Sequence, residues 1–418
     1  MNTKQDVSRR RFLKLAATTT LSSLAPPALA GVAGANDAIR LGLIGCGERG
    51  IYLASEILKR RKNGGRTMIA ATCDVYEPRR QRAQAATGAE VHHRWQDLVE
   101  RNDIDAVIIA TPNHLHAPMA IAAMECGKDV YCEQPMALRI DEARAFRDGA
   151  VRWRRIVQIG AQETSAACWH LANDLLRSGA IGRPLWSQGS YTPSGPSGES
   201  NRAPRARPSL AAPDWAAFVG HAPRRSFDAD RFFHWRKYWD YSGGVVTDSH
   251  YGKLAAILVA VGPAFPERVS AAGGIYLQDG REVPDCFVMT AEYAGGHTIV
   301  LASSMANAHG RPAVIRAEKA TLELKDDAVT LVRESQPLVR NEALPAAPRS
   351  DHLDNWLTGI RTRRKCVCNE NLGYCAMVAI AMAIEAYRTG RTMWFDPVRE
   401  DLKPSPPPEP APYGVTVA

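Results

Sequence analysis

No apolar run in this 418-residue chain is long enough to cross a bilayer once the N-terminus is set aside. The best early candidate, Leu15 to Ala25, is short and rich in Thr and Ser, which excludes a spanning helix there. No basic stripe interleaved with aromatics is evident, so a nucleic-acid partner is not expected. The net charge of +8 is partly a terminal effect, because Lys4, Arg9, Arg10, Arg11 and Lys14 against Asp6 supply +4 of it. Arg202, Arg205 and Arg207 lie among prolines, and Arg361, Arg363, Arg364 and Lys365 suit a helix end. The cysteines also lack a framework. They number nine, and Cys366-x-Cys368 is too close for the usual zinc pair. No metal site is expected, and Cys46, Cys73, Cys126, Cys132 and Cys375 read as small core residues.

What is present begins with Ser8-Arg9-Arg10-Arg11-Phe12-Leu13-Lys14, which matches a twin-arginine export signal. Ala28-Leu29-Ala30 supplies a small-residue cleavage site, so residues 1–30 read as a signal peptide. The mature chain is then periplasmic or otherwise exported. Substrates of that route cross already folded, and the fold need not depend on disulfides. The length allows two domains.

The stretch that organises the rest runs from Ile39 to Gly50. Ile39 to Ile44 reads as a short buried strand, Gly45-x-Gly47-x-x-Gly50 as a turn, and Ile51, Ala54, Ile57 and Leu58 as the start of a helix. That order suits a dinucleotide. The first glycine permits the tight turn, the second lets the backbone approach a pyrophosphate, and the third lets the helix pack closely. Unpaired N–H groups at the helix start, around Glu48 and Arg49, face the anion. The next apolar run, Met68 to Cys73, ends in Asp74, 24 residues past Gly50. An acid there accepts hydrogen bonds from ribose hydroxyls and repels a 2′-phosphate, which favours NAD over NADP. Arg49 argues for the other choice, since a guanidinium pairs with a 2′-phosphate.

Strands and helices then alternate. A helix from Pro78 to near Gly88 and a short one at Asp97-Leu98 precede an apolar strand, Ala106 to Ala110, which ends in Thr111-Pro112-Asn113-His114-Leu115-His116. A helix from Ala117 to Cys126 leads to the strand Val130 to Cys132, ending in Glu133-Gln134-Pro135. A helix (Ile140 to Val151) and a strand (Ile156 to Ile159) follow. The expected fold class is α/β: an N-terminal Rossmann domain over 37–160 with a doubly wound parallel sheet. Ligands of such sheets collect at the carboxyl ends of the strands. Gly45 to Gly50, Asp74, Thr111 to His116, Glu133, Gln134 and Gln162 are therefore expected to face one crevice. Residues 161–400 are expected to form an α+β domain with an open, largely antiparallel sheet, with strands between Arg268 and Val332 and turns at Ala294-Gly295-Gly296 and Lys325-Asp326-Asp327. Ala166 to Ser178 and Leu372 to Tyr387 read as helices. Residues 192–213 form a long Pro-rich excursion, and 401–418 a proline-rich tail. The aromatic run Phe232, Phe233, Trp235, Tyr238, Trp239 and Tyr241 has two readings, a core or subunit interface and a platform for sugar rings.

The run Thr111-Pro112-Asn113-His114-Leu115-His116-Ala117-Pro118, with Gly127-Lys128-Asp129-Val130-Tyr131-Cys132-Glu133-Gln134-Pro135, resembles the glucose–fructose oxidoreductase / inositol dehydrogenase (Gfo/Idh/MocA) family. The likeness extends to Asp214-Trp215, Trp239 to Gly244 and Asp351 to Trp356. It implies a small-molecule sugar substrate, a nicotinamide cofactor bound by Thr111, Pro112, Asn113, His116, Glu133, Gln134 and Gln162 with the glycine turn, and a homo-oligomer (dimer or tetramer) built through the C-terminal sheet.

Two departures from that family stand out. Its dehydrogenases carry Glu-Lys-Pro at the strand end, and the lysine helps move the hydroxyl proton; here the position is Gln134, an amide that does not titrate near neutral pH. Gly243-Gly244-Val245-Val246-Thr247-Asp248 matches the family's helix start, but the histidine usual four residues beyond the aspartate is Gly252. Asp248 reads either as a helix N-cap or as a catalytic group. His250 and Lys253 flank the vacant position, and His250 titrates nearest neutrality. Three readings follow. One is an oxidoreductase acting on a sugar, with His250 or Lys253 as base. Another is a glycoside hydrolase or lyase that oxidises C3 transiently, with Tyr241, Asp248 and His250 moving protons. The last is a cofactor-bearing sugar-binding protein without turnover. Export favours a tightly bound cofactor regenerated within each cycle, since no general nicotinamide pool exists outside the cytoplasm.

Overall fold

The computed structural model describes residues 38–191 and 212–403, apart from 278, 308, 311, 326, 327, 336 and 337. The export signal, nearly all of the 192–213 excursion, two residues of the 325–327 turn and the tail beyond 403 lie outside the described residues.

The N-terminal sheet holds β1 (Ile39–Ile44), β2 (Thr67–Cys73), β3 (Glu90–His92), β4 (Ala106–Ile109), β5 (Asp129–Glu133) and β6 (Val157–Gly160). The order is β3-β2-β1-β4-β5-β6 and every pairing is parallel. β4 and β5 are buried along their whole length, as strands covered on both faces must be. Between them run α1 (Glu48–Lys62), α2 (Glu77–Thr87), α3 (Trp95–Val99), α4 (His116–Glu125) and α5 (Ile140–Arg152). Each begins close to where the sequence expects it. β3 is the one strand of this sheet that the sequence reading passes over, because three half-exposed residues carry no period.

The second half contains α6 (Ala167–Arg177), β7 (Pro184–Tyr191), α7 (Trp215–Val219), α8 (Ala229–Phe233) and α9 (Tyr251–Val261). Then come β8 (Pro266–Gly274), β9 (Cys286–Tyr293), β10 (His297–Ser304), β11 (Ala313–Ala317), β12 (Thr321–Lys325), β13 (Ala328–Ser335) and β14 (Leu338–Pro345). The chain ends in α10 (His352–Thr362), α11 (Glu370–Thr389), β15 (Met393–Asp396) and β16 (Asp401–Lys403). Their ten strands form one sheet in the order β14-β13-β12-β11-β7-β10-β9-β8-β15-β16. Its pairings are antiparallel except that of β7 with β10. β10 alternates buried and half-buried residues, so one face of the sheet packs on helices and the other does not.

α10 qualifies the division of the chain at residue 160. Leu353, Trp356, Leu357 and Ile360 pack with Leu41, Leu43, Leu53 and Ile57 in one cluster, so the chain returns to the first sheet. Each such aliphatic burial is worth about 1.5–3 kcal/mol, enough to make α10 a working part of the nucleotide-binding half. Asp351 caps it by accepting from the N–H groups of Leu353 and Asp354. Cys126 is exposed, not a core residue, because it stands at the C-terminal end of α4. Among the described residues, no helix is long and apolar enough to cross a membrane.

Candidate active site

The carboxyl ends of β1, β2, β4 and β5 open into a cavity of about 850 Å³ roofed by residues 217–237. Gly45, Gly47, Glu48, Arg49, Asp74, Thr111, Pro112, Asn113, His116, Glu133 and Gln134 all line it. Gly50 and Gln162 do not. Gly50 lies beneath the turn, where a Cβ would run into the Gly45 carbonyl. Gln162 stands behind Glu133 and donates to the Tyr131 hydroxyl at 2.9 Å.

At one end of the cavity the glycine turn meets α1. Gly45 has φ +91°, the left-handed conformation that glycine adopts without strain. A Cβ on Gly47 would meet nothing within 4 Å, so open space for a ligand lies directly over its backbone. Asp74 accepts from the Cys46 N–H at 2.8 Å and the Tyr76 N–H at 2.9 Å, which fixes its carboxylate at the tip of β2. Arg49 does not face this end. Its Nε donates to Glu133 Oε1 at 2.8 Å, and its guanidinium lies 5.2 Å from the Tyr52 ring centre, so it is no partner for a 2′-phosphate in this arrangement. Arg79 and Arg82 line the wall nearer Asp74, the latter paired with Glu48.

At the other end, burial raises the Glu133 carboxyl above the ordinary carboxylate range, with Arg49 pulling the opposite way. Burial works against the Arg49 charge too, but Glu133 more than offsets it and leaves that guanidinium raised. His116 staples two strand ends, with its ring nitrogens 2.8 Å from the Thr111 carbonyl and 2.7 Å from that of Pro135. Burial lowers its pKa, while the two carbonyls facing its ring work in the opposite direction, and its position makes it a brace. Asn113 accepts from Ser242 at 2.7 Å and Thr247 at 3.2 Å, joining the two halves of the protein. The Thr111 hydroxyl and Gln134 Oε1 are buried without a hydrogen-bond partner. Buried polar atoms are seldom left so. An open glycine turn, a fixed Asp74 and an orphaned Thr111 hydroxyl together fit a dinucleotide.

The proton-handling candidates part company. Val246–His250 forms a wide π-type turn that leads into α9. His250 and Gly252 therefore project about 200° apart on the helix. Gly252 faces the strand end, where its Cβ would lie 2.6 Å from Gln134 Oε1. His250 points the other way, its ring 5.6 Å from that of Phe287 on the C-terminal sheet. It is buried, its polar neighbour is the Ala302 backbone, and burial outweighs that contact and lowers its pKa to about 3. The expectation that His250 is the acid/base is thus corrected: it belongs to the core. Lys253 also leaves the site, bound to Glu163 and lying over Trp169. Tyr241 does not line the cavity; its ring is fully buried 5.2 Å from Phe218 and 5.0 Å from His114, and burial raises its pKa. Asp248 stays close. Its main-chain carbonyl accepts from Gln134 Nε2, and its Oδ2 accepts from Arg236 Nε.

Arg236 is a lining residue that the sequence reading missed, beside Trp235, which the aromatic run had offered as part of a platform for sugar rings. A signal was available, since Arg231, His234, Arg236 and Lys237 interleave with Phe232, Phe233, Trp235 and Tyr238. Contrary to the expectation from the sequence, the run from Arg231 to Tyr238 is a short basic stripe interleaved with aromatics. Folding matches its cations with acids: Arg231 with Asp240 and Glu282, Arg236 with Asp248, and Lys237 with Asp230, which the His234 ring also contacts. The aromatic run divides as well, Phe232 and Tyr241 going to a core cluster while Phe233 and Trp235 face the cavity.

A parallel sheet in this strand order, with a glycine turn and a fixed acid at its crevice, defines a nucleotide-binding α/β protein. Family models match both halves: residues 39–161 fit "Oxidoreductase family, NAD-binding Rossmann fold" and 195–406 fit "Oxidoreductase family, C-terminal alpha/beta domain". The chain belongs to this Gfo/Idh/MocA oxidoreductase family. A glycosyl hydrolase family 109 protein of Shewanella baltica is 31% identical over 213 residues, 44% of this chain and 46% of that one. A levoglucosan dehydrogenase of Pseudarthrobacter phenanthrenivorans is 44% identical over 100 residues, 23% of this chain and 25% of its own. The chain thus spans less than half the length of these curated relatives. The solved levoglucosan dehydrogenase complex with NADH superimposes with a TM-score of 0.67 at 17% identity, covering 85% of this chain and 98% of the other, a likeness of fold.

Proposed function

We propose that the protein is an exported oxidoreductase that moves hydride to or from a sugar or sugar derivative and keeps its nicotinamide cofactor tightly bound. The observation that carries this is a cofactor cleft lined by the ends of β1, β2, β4 and β5, beside a proton-handling corner rebuilt around Gln134 and Gly252. When bound, the nicotinamide supplies a hydride acceptor or donor. Gly47 and the first turn of α1 receive the diphosphate, Asp74 orients the adenosine ribose, and Thr111 and Glu133 hold the nicotinamide half. Asp74 favours NAD over NADP. Gln134 orients the reacting hydroxyl but moves no proton. Asp248 is the base. Its Oδ2 is held by Arg236, its Oδ1 has no partner among the described residues, and its side chain is 24% exposed. The half-buried face of the C-terminal sheet is where copies of the chain associate.

A second reading, a glycoside hydrolase or lyase with transient oxidation at C3, is favoured by the family 109 relatives and by the missing lysine. Purified protein should be denatured and its released nucleotide identified by mass spectrometry. Stoichiometric NAD(H) or NADP(H) supports a self-contained cycle. A protein that is empty and also fails to bind added nicotinamide would end both enzymatic readings and leave a binding protein. Between the two enzymes, reduced-nicotinamide absorbance that rises with sugar and falls with a carbonyl acceptor selects the oxidoreductase. Aglycone release with deuterium exchange at C2 selects the other.

A further inference from the structure

We infer that the sugar carries a carboxylate and that Arg236 receives it; the inference rests on the reading of the cleft as a sugar site. Both walls carry cations, Arg49, Arg79, Arg82 and Arg94 on the nucleotide-binding half among them, and they differ in where the lining carboxylates stand. The carboxylates lining the cavity, Glu48, Asp74 and Glu133, all belong to the nucleotide-binding half. The wall from residues 217–237 presents His221, His234, Arg236 and Lys237 and no acid.

Arg236 is fixed on two sides. Its Nε donates to Asp248 Oδ2, and its guanidinium lies 4.0 Å from the centre of the Trp235 ring. Neither terminal nitrogen has a partner among the described residues, so a planar pair of N–H donors is left at the cavity. That fork matches a carboxylate edge to edge, and stacking on Trp235 has already removed the freedom that binding would otherwise take away. Its position sets which part of the ligand it reads. Asp248 holds Arg236 with its side chain and receives the Gln134 amide with its main chain, so the fork is tied to the reacting end of the cleft. The adenosine end, by contrast, carries Asp74. Asp248 also offsets part of the Arg236 charge, which suits a monoanion better than a phosphate dianion. Uronic and aldonic acids have that chemistry.

The test is calorimetric titration of matched pairs: D-glucuronate with D-glucose, D-galacturonate with D-galactose, and D-gluconate with D-glucitol. It uses the full chain, with and without NADH. NADH binding is read separately by fluorescence. In at least one pair the acid is expected to bind about tenfold tighter or more. Arg236→Gln should erase that preference and Arg236→Lys should keep only part of it, because a lysine has charge but no fork. If Arg236→Gln harms folding by stranding Asp248, the double replacement Arg236→Gln/Asp248→Asn removes both charges and serves in its place. Equal binding of acid and neutral sugar across all pairs by a protein that does bind NADH overturns the inference and leaves the functional reading standing. An acid preference that survives loss of the Arg236 charge overturns the assignment to Arg236. Glucose 6-phosphate binding tighter than every carboxylate rejects the monoanion. Failure to bind NADH counts against the functional reading instead, while titrations without it still decide the acid preference.

Discussion

The nucleotide wall of the cleft is made of strand ends, and the wall facing it is made of short helices and turns. On the first, each lining residue takes its position from a parallel sheet whose register is set by buried apolar strands. Asp74, Thr111 and Glu133 each stand at or just past the last residue of a strand, and their neighbours in the sheet leave them no other place. On the second, position depends on how a five-residue wide turn hands over to α9, and a shift of one residue would exchange His250 for another side chain. A sheet fixes its edge collectively, whereas a helix face depends on a single local offset.

Breaking the first wall should have the largest effect. Gly50→Ala drives a Cβ into the Gly45 carbonyl, and backbone cannot yield as a side chain does. We expect a loss of about 3 kcal/mol or more in denaturant stability, together with loss of nucleotide binding. An unchanged midpoint would show that the turn is looser than described.

The second wall is tested by coupling. Gly252→His alone should be destabilising, since its Cβ would lie 2.6 Å from Gln134 Oε1. Gln134→Ala should relieve it, with an interaction energy of about 1–2 kcal/mol in a double-mutant cycle. Additive effects would mean that the two positions do not touch. Gln134→Lys, which puts a titratable amine at the strand end, should raise dehydrogenase turnover about tenfold or more. No gain would remove position 134 from the proton path.

Gly47→Ala sharpens the contrast within the first wall. Its Cβ meets nothing within 4 Å, so the fold should stand while affinity for NADH drops about tenfold. Equal stability and equal affinity would place the nucleotide elsewhere.

The smallest effect at neutral pH is expected from His250→Met, within about 1 kcal/mol, because an apolar side chain replaces a buried ring packed on Phe287 at the loss of no more than one contact with the Ala302 backbone. The difference emerges in acid. His250 has a folded pKa of about 3, below its ordinary value, so the unfolded chain takes up its proton first as pH falls. The stability contributed by the neutral ring is present above about pH 6.5 and is lost as pH drops towards about 3. The methionine variant lacks that loss and should have the flatter acid limb in urea titrations. A steeper limb would contradict a buried neutral histidine.

Much of the first wall was legible because its signals are local. A strand, a glycine turn and a helix occupy adjacent residues, and Asp74 follows at a spacing that one βαβ unit dictates. β7, β14, β15 and β16 were not legible, since β7 carries Ser187, Gln188 and Ser190 among its apolar residues and β15 and β16 are only four and three residues long. His250 was misplaced for another reason: its residue type was right for the chemistry, but nothing in the sequence reports the width of the turn before it.

By itself the sequence determined the parallel sheet, the nucleotide end of the cleft, and the fact that Gln134 and Gly252 depart from their family's pattern. Those features rest on the period and order of neighbouring residues. The tertiary structure alone decided that the two departures interlock, that His250 and Lys253 face away, and that Arg236 stands in the cleft with its fork outward. Each of those facts depends on contacts between segments far apart in the chain, where the side chain's chemistry is written in one place and its direction is set in another.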